Sequence, residues 1–128
     1  MRIIICVLLC ILSLQILSQR QELWGVTAEG GLYDHGVVFS YDLTNSTYNV
    51  ELDFDSTIGA RPLGTLFQAL NGKLYGTAAF GGAHNKGVLF EIDPNYKVYK
   101  KVLDFDGPNH VAVPAASFVE YSPGIIMA

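Results

Sequence analysis

Short runs in which apolar and polar residues alternate fill the chain from Glu22 onward, each closed by glycine, proline or asparagine. In Tyr96–Phe105, the residues Tyr96, Val98, Lys100 and Val102 fall on one face, and Tyr99, Lys101 and Leu103 on the other. That is the period-two pattern of an extended strand. No segment after residue 18 keeps an apolar period of 3.6 over helical length, so the pattern predicts an all-β chain. Strands are expected over Glu22–Ala28, Gly36–Leu43 and Thr47–Phe54, then over Gly64–Leu70, Lys73–Phe80, Gly87–Asp93 and Tyr96–Phe105. A last one is expected over Ala116–Ser122, followed by a Pro123-Gly124 turn. Asn71-Gly72 favours both central positions of a type I′ turn and predicts a tight hairpin. The glycine-containing, polar stretch Gly81–Lys86 reads as a loop or wide turn.

The pattern occurs twice. Leu23–Ser56 laid over Leu74–Gly107, an offset of 51 residues, gives 14 identities in 34 positions without a gap. Leu23, Gly25, Ala28, Gly30, Gly31, Gly36, Val37, Phe39 and Asp42 return as Leu74, Gly76, Ala79, Gly81, Gly82, Gly87, Val88, Phe90 and Asp93. Tyr48 and Leu52-Asp53-Phe54-Asp55 return as Tyr99 and Leu103-Asp104-Phe105-Asp106. With one residue inserted between Asp106 and Pro114, Pro62 meets Pro114, Gln68 meets Glu120 and Leu74 meets Ile126, so a third unit begins. Four antiparallel strands in a unit of about fifty residues predict a β-propeller blade. Such units bury their cores against neighbours. The expected organisation is a leader over 1–18, an incomplete unit over 19–57 carrying strands two to four, a full unit over 58–109, and the start of a truncated third over 110–128. This amounts to about two blades of a partial propeller, whereas closed rings have about 4–8. A fragment of a longer array is therefore expected, with further repeats in cis or self-association covering its open sides.

Met1-Arg2 followed by the apolar Ile3–Leu17 and the small Ser18 reads as a secretory signal peptide. The run is short of the roughly 20 apolar residues that span a bilayer, so no stable membrane span is expected after cleavage. The expected location is secreted or in the cell envelope. Both cysteines, Cys6 and Cys10, fall in the leader, which leaves the remainder without a disulfide or a thiolate metal site. Loss of Arg2 leaves seven basic residues against twelve acidic, a net charge of −5. Lys100-Lys101 is the only adjacent basic pair, and nucleic acid is not an expected partner.

The run Leu74-Tyr75-Gly76-Thr77-Ala78-Ala79-Phe80-Gly81-Gly82-Ala83-His84-Asn85-Lys86-Gly87-Val88-Leu89-Phe90-Glu91-Ile92-Asp93 resembles the GloVer (Gloeobacter–Verrucomicrobia) repeat. Leu103-Asp104-Phe105 and Pro62…Leu66…Asn71-Gly72 supply the later parts of that pattern, and Leu23-Trp24-Gly25-Val26-Thr27 is a divergent opening in the first copy. The resemblance covers residues 22–128. It implies exported, mostly bacterial proteins with many tandem copies, a kelch-like propeller fold and no agreed catalytic residues.

Candidate chemistry is thin. The pairs Gly30-Gly31 and Gly81-Gly82 lack the helix N-terminus and following Lys or Ser/Thr of a phosphate loop, and read as backbone devices. Asp53/Asp55 and Asp104/Asp106 put paired carboxylates on one face of a strand end. Gly107 comes too early for an EF-hand-type calcium loop and no bidentate Glu follows, so these read as solvated carboxylates. His35, His84 and His110 do not recur between copies, and Ser117 and Ser122 lack a nucleophile signature. Asn45-Ser46-Thr47 is a formal glycosylation sequon. Among the aromatics Trp24, Tyr33, Tyr41, Phe80, Tyr96 and Tyr121, the loop residues Tyr33 and Phe80 are the freest for ligand contact. No catalytic, cofactor-binding or metal residue is assigned. The expected function is a non-catalytic binding or structural surface for a protein or glycan ligand; the alternative is a fragment of a carbohydrate-active propeller enzyme.

Overall fold

The computed structural model describes residues 21–107, 119–122 and 125–127. The expected leader over 1–18, His110, Ser117 and the Pro123-Gly124 turn lie outside the described residues. Strands β1 (Glu22–Thr27), β2 (Val37–Asp42) and β3 (Thr47–Asp53) form one antiparallel sheet in the order β1-β2-β3. Strands β4 (Ala60–Pro62), β5 (Phe67–Gln68), β6 (Leu74–Phe80), β7 (Val88–Asp93) and β8 (Val98–Asp104) form a second. Its order is β4-β6-β7-β8, with β5 also paired to β6. A separate hairpin joins β9 (Val119–Ser122) to β10 (Ile125–Met127). No helix occurs among the described residues. The two copies of the repeat thus fold alike.

Two local expectations are corrected. The strand expected over Gly64–Leu70 is reduced to β5, and β4 pairs with β6 ahead of it through Ala60↔Phe80 and Pro62↔Ala78. Pro62 has no amide hydrogen to carry a ladder onward, and Arg61 sits at φ +54°, so the edge is broken into two pieces. The Asn71-Gly72 hairpin forms, but without a type I′ turn, because only Gly72 has positive φ. Gly72 N donates to the Ala69 carbonyl and Ala69 N to that of Lys73, each at 2.9 Å. The result is a three-residue loop ending in a left-handed glycine.

The short hairpin is a third occurrence of this opening. It pairs Val119 with Met127 and Glu120 with Ile126. Each of these residues lies 52 positions after its counterpart in Phe67↔Tyr75 and Gln68↔Leu74.

The sheets pack in one direction, front to back. In β7, Val88, Phe90 and Ile92 are buried while Leu89, Glu91 and Asp93 are only partly so; in β2, Val38, Ser40 and Asp42 are buried while Phe39 and Tyr41 are not. At the 51-residue offset, Phe90 is the counterpart of Phe39 and Leu89 of Val38. The inward parity is therefore reversed between copies. The second copy's front (Leu74, Ala78, Val88, Phe90, Ile92) lies against the first copy's back (Trp24, Val26, Val38, Leu52, Phe54) in a shared core. Phe54 stands edge-on to Phe90 at 5.2 Å between centroids, and the Tyr99 hydroxyl donates to the Ile58 carbonyl at 2.6 Å. Burying a ring such as Phe54 contributes about 1.5–3 kcal/mol, which makes this interface the main apolar association among the described residues.

Candidate functional site

The residues shared by the repeats are engaged with their own backbone. In the second copy's loop, Gly81 N donates to Asn85 Oδ1 (2.9 Å), Gly82 N to the Ser56 carbonyl (3.0 Å) and Ala83 N to Asp104 Oδ1 (2.7 Å). The first copy repeats the device: Gly30 N donates to Asp34 Oδ1 at 2.9 Å and Leu32 N to Asp53 Oδ1 at 2.6 Å. A phosphate cradle needs free amides pointing at an anion; here a carboxylate of the protein already occupies that place. Gly82 is required because a Cβ there would collide with Asp104 Oδ1 and Val88 at φ +78°.

Asp53 and Asp104 are accordingly not the solvated carboxylates expected from their strand-end positions. They tie β3 and β8 to the glycine loops. Asp55 is engaged as well, accepting from Thr57 N (2.8 Å), Thr57 Oγ1 (2.5 Å) and Ile58 N (3.0 Å). The Thr57 hydroxyl is the main cause holding its carboxyl below the usual range. Lys101 and then the Ala83 amide do the same for Asp104, and the Lys73 ammonium does so for Glu91. Asp42 accepts from Thr44 N, Asn45 N and Asn45 Nδ2, so the sequon amide closes the β2–β3 turn.

These depressed carboxyl values have a signed consequence. A lowered folded value stabilises the fold fully above the ordinary values of 3.8 for Asp104 and 4.5 for Glu91, and the gain is lost as pH falls through the lowered values. Asp104→Ala is expected to lower stability by about 1–2 kcal/mol at neutral pH and to flatten the acid side of the profile. Urea midpoints compared between about pH 6 and about pH 3 check both effects. An unchanged acid slope would show that the Asp104 tie contributes nothing.

Of the aromatics singled out from sequence, Tyr33 and Phe80 are 54% and 45% exposed on loop and strand-end positions. His35 and His84 sit in the two β-strand-connecting loops, and no group of three metal-binding side chains forms among the described residues.

The polar groups that do converge lie elsewhere. A cleft of about 510 Å³ opens between the two copies, lined by Trp24, Glu22, Leu66, Gln68, Asn95 and Lys97 among others. Lys97 comes from the β7–β8 turn at φ +56°. It reaches across to Glu22 Oε2 at 3.3 Å and Glu51 Oε1 at 2.7 Å, and its ammonium stands 4.2 Å from the Trp24 ring centroid. Ion pairing plus the ring quadrupole hold it in place. Gln68 and Asn95 present exposed amides at the mouth of the cleft. An indole edge beside amides and carboxylates suits a neutral, hydroxyl-bearing ligand better than an anion.

The sequence ranks Trp24 behind Tyr33 and Phe80 for ligand contact and does not single out Glu22, Gln68, Asn95 or Lys97. One signal was available. At the repeat offsets Glu22, Asn95 and Lys97 correspond to Lys73, Thr44 and Ser46, so these three stand where the repeat does not preserve chemistry.

The family model described as "Gloeobacter/Verrucomicrobia repeat" matches residues 13–127. No curated protein and no solved structure matches the chain.

Proposed function

Because the chain belongs to the Gloeobacter/Verrucomicrobia repeat family, we propose that it is an exported segment of a propeller-type array, in which stacked sheet modules carry a non-catalytic binding surface. The single observation that supports this reading is the division of labour between matched and unmatched positions. Matched polar residues such as Asp53, Asp104, Asp42 and Asp93 accept from backbone amides. The unmatched Glu22, Asn95 and Lys97 gather with Gln68 beside Trp24 at the junction of two modules. A scaffold that repeats for stability and varies at a junction is suited to recognition, since function resides in sites carried by a fold. The ligand class is a glycan, or a protein surface presenting comparable hydroxyl and amide groups. Export follows from the charged and apolar start of the sequence, Met1–Ser18.

The test is retention on immobilised glycans with turnover assayed in parallel. Saturable retention without turnover is expected. Gln68→Ala and Asn95→Ala, both on exposed side chains, are each expected to weaken it about tenfold, equivalent to about 1.4 kcal/mol. Turnover abolished by one substitution would instead establish the enzyme-fragment alternative.

A further inference from the structure

One face of the first sheet lacks the cover that its counterpart has. Leu74 is 6% exposed and its counterpart Leu23 is 56%; Tyr99 is mostly enclosed and its counterpart Tyr48 is 53% exposed. The registers Leu23↔Tyr41↔Tyr48 and Gly25↔Phe39↔Val50 put all of these on one side of the sheet. That side is the first copy's front. In the second copy the front is covered by a back. The second copy's own back carries Tyr75, Leu89, Glu91 and Leu103, the counterparts of Trp24, Val38, Ser40 and Leu52; Leu103 is 39% exposed and the other three are partly buried.

We infer that the front of the first copy binds the back of the second copy of another molecule of this chain, head to tail, by the packing the two copies use within one molecule. This rests on the stacked-module part of the proposed function and is independent of the ligand. The chain itself shows what covers a front: Phe54 against Phe90 and Tyr99 within the molecule becomes Phe105 against Phe39 and Tyr48 between molecules. The counterparts are themselves Phe and Tyr, so ring size at the contact is kept.

The charges agree. The front side chains Leu23, Phe39, Tyr41, Tyr48 and Val50 are uncharged. The one carboxylate at the centre of the back, Glu91, already accepts from Lys73 Nζ and from the Tyr75 hydroxyl at 2.9 Å. Covering it leaves that carboxylate paired, with the exposed Lys100 opposite it on the edge strand β8. The Lys97 clamp has no counterpart at the second contact, where Ser46 would meet Lys73 and Val102, so that contact is weaker than the internal one. A front-to-back contact is heterologous: each pairing leaves one front and one back free, and association continues until a ring closes or a filament grows.

Sedimentation of the full chain and of two variants outside the cleft tests this. Wild type is expected to show a mass that rises with concentration beyond the dimer. Tyr48→Asp removes the front and Leu103→Asp the back, so each alone is expected to be monomeric. Their equimolar mixture is expected to form a one-to-one dimer and stop, through the intact back of one and the intact front of the other. Circular dichroism confirms folding, and Val50→Lys replaces Tyr48→Asp if that variant unfolds. A wild type that is monomeric at every concentration, either variant retaining wild-type association, or a mixture that stays monomeric would each overturn the inference. Glycan retention is a separate readout: wild type that associates as expected but retains no glycan would sink the ligand alone.

Discussion

Phe54→Ala is expected to destabilise the fold by about 3–5 kcal/mol, the range for removing an enclosed aromatic ring. Phe54 is 0% exposed and touches Phe90 and Tyr99 at 5.2 and 6.4 Å between centroids. Deletion therefore opens a cavity between the sheets, where both must move to close it. The same substitution at Phe105 is expected to cost about 1 kcal/mol, because that ring is only partly enclosed. The two residues occupy identical places in the repeat, within Leu-Asp-Phe-Asp. Denaturant unfolding of both variants at low protein concentration therefore isolates the effect of front-to-back packing from that of local sequence. Equal losses would show that the shared core does not hold the copies together.

Gly87→Ala is the second large effect. Gly87 adopts φ +99°, and a Cβ there would run into the Ala78 and Ala79 carbonyl oxygens. Those atoms are backbone of β6 or next to it and cannot swing aside. Strain of a side chain in the left-handed region costs about 1–3 kcal/mol, and displacing strand backbone adds to it, so a loss of about 3 kcal/mol or more is expected. Gly72→Ala is the matched control. It has φ +82° but nothing within 4 Å of the added carbon, and about 1 kcal/mol is expected. Thermal and denaturant melts of the pair separate the two contributions. Similar losses would mean that backbone conformation alone, and not the close approach to β6, requires glycine at position 87.

Phe54 and Phe105 are equivalent in the repeat, and Gly87 and Gly72 share a positive φ. Their different expected outcomes trace to what each residue meets in space. The same distinction applies to the carboxylates. Asp53 and Asp104 alternate with Phe54 and Phe105 at the ends of strands, and a period-two reading puts them in water. They bond instead to the glycine loops of their own units, 21 residues away in sequence. Long-range backbone acceptance of this kind leaves no mark on periodicity. It does leave one on the repeat, since the Gly pair and the Asp recur together at one spacing.

The candidate cleft was less legible still. Trp24 was visible as an aromatic, but Glu22, Gln68, Asn95 and Lys97 come from separate turns and strand ends with no local signature. Only packing of one module on the next brings Lys97 over the Trp24 ring.

From sequence alone, most strand positions (though not the broken β4–β5 edge), the duplication at 51 residues and the family followed, because period-two alternation, turn residues and repeat spacing are local properties of the chain. The tertiary structure decided which face of each sheet is inside. Both faces carry apolar residues in both copies, with Val38 and Phe39 adjacent in one and Leu89 and Phe90 adjacent in the other. Alternation therefore does not choose between them. The choice falls to the neighbour each sheet finds: the second finds the first copy behind it and buries Phe90, whereas the first turns Val38 and Phe54 toward that contact and leaves Tyr48 outside.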